Sequence, residues 1–113
     1  MPSPSIFSQI IDRKLPATIR YEDDEFIAFD DINPQAPVHV LVVPKRTEQT
    51  LEGVPITDEA FHARLLLVAR EVAKTMGISA NYKLILNVGK AMQIVPHIHL
   101  HVCGGWTDPS PTK

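Results

Sequence analysis

Apolar residues recur at helical spacing in two stretches of the chain. The first stretch opens at Ser3 and Pro4, a capping residue followed by a proline that suits the first helical position, and it ends before Pro16. Its apolar face consists of Ile6, Phe7, Ile10 and Ile11. The second stretch begins at residues 57–59, where acidic side chains suit the helix dipole, and it ends at Gly77. The spacing therefore predicts one short and one long helix.

The long helix is apolar around most of its circumference. Its main stripe consists of Phe61, Leu65, Val68, Val72 and Met76. Leu66, Leu67 and Ala69 widen that stripe and leave little polar face in the middle of the helix. A helix of this kind is buried on both sides, and the core of so short a chain covers only one side well. We therefore expect a second partner surface, most simply that of a homodimer.

Short runs rich in β-branched and aromatic residues predict strands between and after the helices. They occupy residues 18–21, 26–29, 38–43, 82–88 and 97–103. The acidic stretch 22–25 joins the first two strands as a hairpin, and residues 87–96 connect the last two. This order of elements is typical of an α+β fold, in which a helix covers an antiparallel sheet of about five strands.

Composition limits the number of domains, the kinds of partner and the cellular location that we expect. The 113 residues suffice for one hydrophobic core, so we expect a single domain, 1–113, with mobile tails at residues 1–4 and 107–113. The net charge of −2 gives no excess of basic residues, so we expect no binding to nucleic acid. The apolar runs are too short to span a membrane, so we expect no membrane partner. The single cysteine, Cys103, suits a reducing compartment, so we expect a cytoplasmic protein.

Histidines are concentrated on the predicted strands. His97, His99 and His101 alternate with apolar residues, so the three imidazoles share one face of a strand while the apolar side chains share the other. His39 lies on strand 38–43 and adds a fourth imidazole. Three histidines at strict alternation within an apolar strand are uncommon, which makes this strand the candidate site.

Three interpretations of the histidine strand are open. The first is a polar, solvated strand face without chemistry. The second is a zinc site, but His97 and His101 would lie about 13 Å apart along an extended strand, so His39 or Cys103 would have to complete the shell. The third is covalent catalysis, in which His99 attacks phosphorus while the flanking imidazoles donate to phosphate oxygens and handle leaving-group protons.

The segment from His97 to Cys103 resembles the signature of the histidine-triad (HIT) superfamily, in which three histidines alternate with apolar residues. Similarity to this superfamily runs from about Ile6 to Gly105 and covers most of the chain. Residues 31–37, which read Asp-Ile-Asn-Pro-Gln-Ala-Pro, and the closing pair of glycines are similar to the Hint branch.

This resemblance implies a HIT-like fold whose sheet continues across a homodimer. It implies hydrolysis of purine nucleoside phosphoramidates, such as adenosine monophosphate linked to an amine, and of acyl adenylates, with no cofactor and no metal. His99 would be the nucleophile, His101 and His97 would support it, and His39 would belong to the same network. The implied nucleotide-binding residues are Asp31 at the ribose, Ile6, Phe7, Ile10, Phe29 and Ile32 at the base, and Asn87 and Gln93 near the phosphate.

Other roles compete with these assignments, since the apolar residues also suit plain core packing and Asp31 suits a turn.

One segment departs from the family pattern. Relatives usually carry a stretch ending in Gly-Gln-Ser or Gly-Gln-Thr, whereas residues 89–94 read Gly-Lys-Ala-Met-Gln-Ile. Ile94 replaces the hydroxyl residue, and Met92 replaces a glycine that lets the backbone approach the phosphate. Alternative functions are a dinucleoside-polyphosphate hydrolase, a nucleotidyl transferase, or a nucleotide-binding module with weak catalysis.

Overall fold

The computed structural model describes residues 5–109 and has an α+β architecture. Its helices are α1 (Ile6–Ile11) and α2 (Glu59–Thr75), with a short 3-10 helix at Leu51–Gly53. Its strands are β1 (Ile19–Glu22), β2 (Phe26–Asp30), β3 (Val38–Pro44), β4 (Tyr82–Leu86) and β5 (Leu100–Gly104). They form one antiparallel sheet in the order β1-β2-β3-β5-β4, which confirms the predicted fold class.

The two faces of the sheet are covered by different helices. α2 packs on one face, against a layer of alternate strand residues that includes Phe26, Ala28, Val40, Val42, Leu100 and Val102. α1 packs on the opposite face, against a smaller layer of Ile27, Phe29, Leu41 and Val43. Because side chains alternate along a strand, His39 and His101 share the face of α1. We call this side of the sheet the histidine face.

The long helix has the buried stripe that its sequence predicts. Its buried residues are Phe61, Leu65, Val68, Ala69, Val72 and Ala73. Leu66 and Leu67 lie outside the stripe and remain 52% and 48% exposed. β4 lies at an edge of the sheet, where Ile85 is also exposed. These apolar groups supply the extra surface that the sequence predicts, while the homodimer itself stays a prediction.

The predicted start of the last strand is wrong. β5 begins at Leu100, three residues after His97. The ladders of both neighbouring strands end there, since Val42 of β3 and Leu86 of β4 both pair with Leu100. Residues 97–99 therefore lack a strand partner, and their histidine side chains are placed by other hydrogen bonds.

The first helix begins later than predicted, at Ile6, and ends before Pro16 as predicted. Ser5 is the N-cap, because its hydroxyl accepts the N–H of Ser8 at 3.0 Å. The predicted cap at Ser3 and Pro4 lies outside the described residues. The helix ends at Ile11, well before Pro16, because Arg13 adopts a left-handed backbone conformation with φ of 61°.

The predicted tails, 1–4 and 107–113, lie outside the described residues except for 107–109, which form no helix or strand. Among residues 5–109, neither helix is long and apolar enough to cross a lipid bilayer. The single domain and the cytoplasmic location stay predictions.

Candidate active site

Strand pairing brings the histidines together on the histidine face. β3 and β5 are neighbours in the sheet, and their register pairs Leu41 with His101. The ring centroids of His39 and His101 lie 5.1 Å apart, and those of His99 and His101 are separated by the same distance. His39, His97 and His99 are buried, while His101 is half-buried. The rings of His39, His101 and His99 thus form one contiguous row, and the ring of Phe7 contacts both His97 and His99.

A backbone hydrogen bond determines which nitrogen of His99 is available. Its Nδ1–H donates to the carbonyl oxygen of His97 at 2.7 Å. Because a carbonyl oxygen can only accept, the neutral ring carries its lone pair on Nε2. The rings of Phe7 and His99 meet edge to face, with the two centroids 5.0 Å apart. The ring of His99 is therefore held in one orientation, with its lone pair on Nε2.

His101 receives its orientation through His39. The backbone N–H of Gln35 donates to Nδ1 of His39 at 2.9 Å, so the proton of His39 lies on Nε2. That N–H donates to Nδ1 of His101 at 2.8 Å, and the proton of His101 must therefore lie on its own Nε2. His101 can consequently donate a hydrogen bond while uncharged.

Burial keeps the His39–His101 pair uncharged at neutral pH. It lowers the pKa of His101 from the ordinary 6.5 to about 4, and the nearby rings of His99 and His39 act in the same direction. Burial also lowers the pKa of His39, against the opposing effect of the Asp31 carboxylate. Oδ2 of Asp31 lies 3.4 Å from Nε2 of His39. An anion bound beside His101 would favour its protonated form.

Both ring nitrogens of His97 are bound by groups of this chain. Nε2–H donates to the carbonyl oxygen of Pro44 at 2.8 Å. Nδ1 faces the hydroxyls of Ser5 and Ser8, at 3.2 Å and 3.4 Å. Burial lowers the pKa of His97, so its ring is neutral and Nδ1 can accept. The predicted support of His99 by His97 comes in this geometry from its backbone carbonyl, not from its ring.

The apolar residues predicted at the base separate into two groups. Phe7, Ile10 and Phe29 are buried in one cluster on the histidine face, and the rings of Phe7 and Phe29 meet edge to face. Ile6 and Ile32 are exposed, Ile32 by 91%. The buried three therefore form a wall next to the imidazoles, whereas the exposed two are free to contact a ligand.

The polar residues predicted to contact the nucleotide occupy two loops. Asp31 lies just after β2, where its Oδ1 accepts the N–H of Asn33 at 2.8 Å and its Oδ2 faces His39. Asn87 lies just after β4 and is half-buried. Asp31 thus has the predicted turn role and, at the same time, a place beside the imidazole cluster.

The side chain of Gln93 is hydrogen-bonded within its own loop and to the loop that contains Gln49. Its Oε1 accepts the N–H of Gly89 at 2.7 Å. Its Nε2 donates to the carbonyl oxygens of Gln49 and Val95 at 2.9 Å and 3.2 Å. In this arrangement Gln93 shapes the loop before the histidines, and the predicted contact with phosphate would require its amide to turn.

Sequence reasoning missed five groups that orient the imidazoles. They are the backbone N–H of Gln35, the carbonyl oxygens of Pro44 and His97, and the hydroxyls of Ser5 and Ser8. Almost every residue carries a backbone N–H and a carbonyl, so residue identity does not indicate which of them binds an imidazole. The serines carry the weak signal of a polar pair one helical turn apart before an apolar face, but that signal also fits simple helix capping.

One cluster has the donor chemistry of a metal site. Donor atoms of Asp31, His39 and His101 all lie within 4.8 Å of one another. A carboxylate and two imidazoles are suitable zinc ligands. However, Nε2 of His39 and Nδ1 of His101 are hydrogen-bonded to each other at 2.8 Å. An ion held by these two nitrogens would have to break that bond, so they fit a proton-bearing pair better than a metal shell.

Comparison with known sequences gives matches along most of the chain. The HIT domain family model matches residues 12–108. An uncharacterized HIT-like protein from Synechocystis is 48% identical over 106 residues, which are 93% of each chain. A 14 kDa zinc-binding protein from Zea mays is 43% identical over 107 residues, which are 91% of this chain and 83% of the relative.

Solved structures give the same result. A HIT family hydrolase from Legionella pneumophila Philadelphia 1 has a TM-score of 0.87 and 38% identity, covering 97% of this chain and 100% of its own. A HIT family hydrolase from Clostridium thermocellum has the same TM-score and identity, covering 98% and 99%. Together with the row of histidines beside β3, these matches establish that the chain belongs to the HIT domain family.

Proposed function

We propose that this protein hydrolyses the phosphorus–nitrogen bond of purine nucleoside phosphoramidates, such as adenosine monophosphate joined to an amine, and that it also accepts acyl adenylates. The orientation of His99 carries the proposal. Its Nδ1–H is bound to the carbonyl of His97, which leaves Nε2 as a nucleophile next to the N–H of His101. The two hydrolase titles among the related structures support a hydrolytic reaction.

In the first step, Nε2 of His99 attacks phosphorus and the bond from phosphorus to the amine nitrogen breaks. The amine must gain one proton to leave, and Nε2–H of His101 is the donor beside the nucleophile. The negative phosphate favours the protonated form of His101, so a proton is taken up when substrate binds. The N–H of His39 can then turn to Asp31, whose Oδ2 is 3.4 Å away.

In the second step, water attacks phosphorus and the bond to His99 breaks. The proton lost by water goes to His101, and His101 releases one proton to solvent when the nucleotide leaves, so each turnover ends with the imidazoles in their uncharged starting state. The intermediate carries its positive charge on the His99 ring, where Nδ1–H remains bound to the carbonyl of His97. An acyl adenylate needs no proton for its carboxylate to leave, so the same site serves both substrates.

In the proposed complex, the base and the ribose bind on the histidine face. Phe7, Ile10 and Phe29 form the buried wall beside the imidazoles, and exposed Ile6 and Ile32 are available to cover a purine. Asp31, next to His39, is the residue proposed to bind the ribose hydroxyls. These roles follow the family resemblance and agree with where the residues lie.

The same proposal includes a homodimer. Exposed Leu66 and Leu67 on α2, together with Ile85 on the edge strand β4, provide apolar surface for a second copy. Sedimentation equilibrium should give twice the chain mass for the wild type. The variant Ile85→Glu should shift the protein toward a monomer, whereas Ile56→Glu, at an exposed isoleucine before α2, should not.

The test is steady-state hydrolysis of an adenosine phosphoramidate that releases a fluorescent amine. His99→Ala should abolish turnover while binding of adenosine monophosphate survives. His62→Ala is the matched control, because His62 lies on α2, on the other side of the sheet, and should leave the rate unchanged. Turnover that survives in His99→Ala would refute the mechanism.

Two further results would select an alternative function. If the wild-type protein binds the nucleotide but does not hydrolyse the phosphoramidate, it is a nucleotide-binding module. If it cleaves only dinucleoside polyphosphates, it is a dinucleoside-polyphosphate hydrolase. Because one relative is named a zinc-binding protein, the assay is repeated after treatment with a chelator. An unchanged rate is expected, since every step uses imidazole chemistry.

A further inference from the structure

Two serines of the first helix meet the ring of His97. The hydroxyl of Ser5 lies 3.2 Å from Nδ1 of His97, and that of Ser8 lies 3.4 Å from the same nitrogen. The two hydroxyls are 3.2 Å apart, and Ser5 also accepts the backbone N–H of Ser8 at 3.0 Å. The start of α1 is therefore joined to a residue about ninety positions later in the chain.

The opposite side of the same ring is fixed to the sheet. Nε2–H of His97 donates to the carbonyl oxygen of Pro44, the last residue of β3, at 2.8 Å. His97 is 3% exposed, so water does not compete for its nitrogens. One buried imidazole thus connects α1 to β3, and neither of its nitrogens is left to act on a substrate.

This connection reaches the proposed nucleophile by two routes. The backbone carbonyl of His97 accepts Nδ1–H of His99 at 2.7 Å, so any shift of His97 changes the direction of the nucleophile. Phe7 lies in α1 between the two serines, and its ring meets the rings of His97 and His99 at centroid distances of 6.2 Å and 5.0 Å. A displaced helix would therefore move the wall of the site.

We propose that Ser5 and Ser8 are positioning residues: Ser5 donates its hydroxyl proton to Ser8, and Ser8 donates to the single lone pair on Nδ1 of His97. This chain of hydrogen bonds ties α1, with Phe7, to the segment that carries His99. α1 has only six residues, too few for stable helix formation without tertiary contacts. The chain of hydrogen bonds from Ser5 through Ser8 to His97 supplies such a contact at the first turn. The effect on nucleotide affinity rests on the proposed function, whereas the contact with Nδ1 does not.

Ser8→Ala is the sharpest variant, because alanine favours a helix more than serine does and the cap at Ser5 stays in place. Ser8→Thr restores a hydroxyl, and Ser79→Ala changes an exposed serine after α2 as the matched control. The ring nitrogens of His97 are observed by 15N NMR on histidine-labelled protein, with His97→Gln to assign them. Affinity for adenosine monophosphate, KM and kcat are measured on the same samples.

In Ser8→Ala the Nδ1 resonance should move away from its hydrogen-bonded position. Nucleotide affinity should fall about threefold in this variant and about tenfold in Ser5→Ala/Ser8→Ala, on the scale of one or two hydrogen bonds. KM should rise more than kcat falls, and Ser8→Thr should restore each value. An unchanged Nδ1 resonance, or a moved resonance with unchanged affinity, would overturn the proposal.

Failure of the proposed function gives a separate result. If the wild-type protein neither binds nor hydrolyses the nucleotide, hydrogen exchange of the α1 amides replaces nucleotide affinity as the test of whether the serines hold α1 to His97. Faster exchange in α1 of Ser5→Ala/Ser8→Ala, with α2 unchanged, would support the connection through His97. Equal exchange in α1 of wild type and variant would overturn it.

Discussion

The two faces of the sheet use the same strands but different physical interactions. The face toward α2 is held by apolar packing, in which alternate residues of β3 and β5 meet the buried stripe of the helix. The histidine face holds buried imidazoles, and each depends on a hydrogen-bond partner rather than on close packing alone. Among residues 5–109, every buried side-chain nitrogen and oxygen atom has such a partner.

This difference shows how one strand can serve stability and chemistry at once. In β5, Leu100 and Val102 point to α2 while His101 points to the site. Changes on the α2 face should therefore lower the free energy of unfolding and leave kcat intact. Changes on the histidine face should alter catalysis far more than stability.

The largest effect on stability is expected on the α2 face. Phe61 is buried against Phe26, with ring centroids 5.8 Å apart, so Phe61→Ala removes a large side chain from the core. We expect a loss of about 3–5 kcal/mol in the free energy of unfolding, measured by urea denaturation. At a temperature where the variant is still folded, kcat should equal that of wild type. A large fall in kcat would show that the two faces are coupled.

The largest effect on catalysis, short of removing the nucleophile, is expected at His39. His39→Ala removes the donor to Nδ1 of His101, so the proton of His101 is no longer held on Nε2. We expect kcat/KM to fall about a hundredfold, the scale of general acid catalysis. His62→Ala again serves as control. A reduction below threefold would mean that His39 does not orient the proton donor.

Acid should weaken the histidine face in particular. Burial lowers the pKa of His101 to about 4 and also lowers the pKa of His39 and His97 in the folded chain. The unfolded chain therefore takes up protons below about pH 6.5 that the folded chain does not. The free energy of unfolding should fall as pH falls from 6.5 to 4. In His101→Gln the slope should be shallower, and an equal slope would rule out His101 as its source.

The smallest effect is expected at Ile94, which replaces the hydroxyl residue of the family pattern. Ile94 is 99% exposed, so Ile94→Ser should not change stability. A new donor near the leaving group should raise kcat about threefold, as one exposed hydrogen bond would. Ile56→Ser, at an 89% exposed isoleucine before α2, is the matched control. A reduced rate would show that Ile94 itself contributes to substrate binding.

Periodicity predicts the α2 face well because apolar packing repeats along the chain. The stripe of α2 and the alternation in β3 and β5 each assign a residue to a face from its position alone. The same alternation placed His101 opposite the core. Alternation wrongly predicts a strand at residues 97–99, because a strand also needs a neighbour to pair with. The ladders that join β5 to β3 and β4 end at Leu100.

The hydrogen bonds of the candidate site could not be predicted in this way. Ser5 and Ser8 meet a residue that is 92 and 89 positions away, and no local pattern records such a contact. The family pattern predicts that Gln93 contacts phosphate, whereas its amide binds Gly89 in its own loop and Gln49 in another. Long-range partners of single polar atoms are known only once the fold is built.

The most direct test of the central claim is to trap the reaction intermediate. Wild type is mixed with the adenosine phosphoramidate, quenched within one turnover, and analysed by intact mass and peptide mapping. The proposed mechanism predicts one nucleotidyl group on the peptide that contains residues 97–103, attached to His99, and none in His99→Ala. A nucleotidyl group on another residue, or hydrolysis in wild type without any adduct under these conditions, would contradict the covalent mechanism.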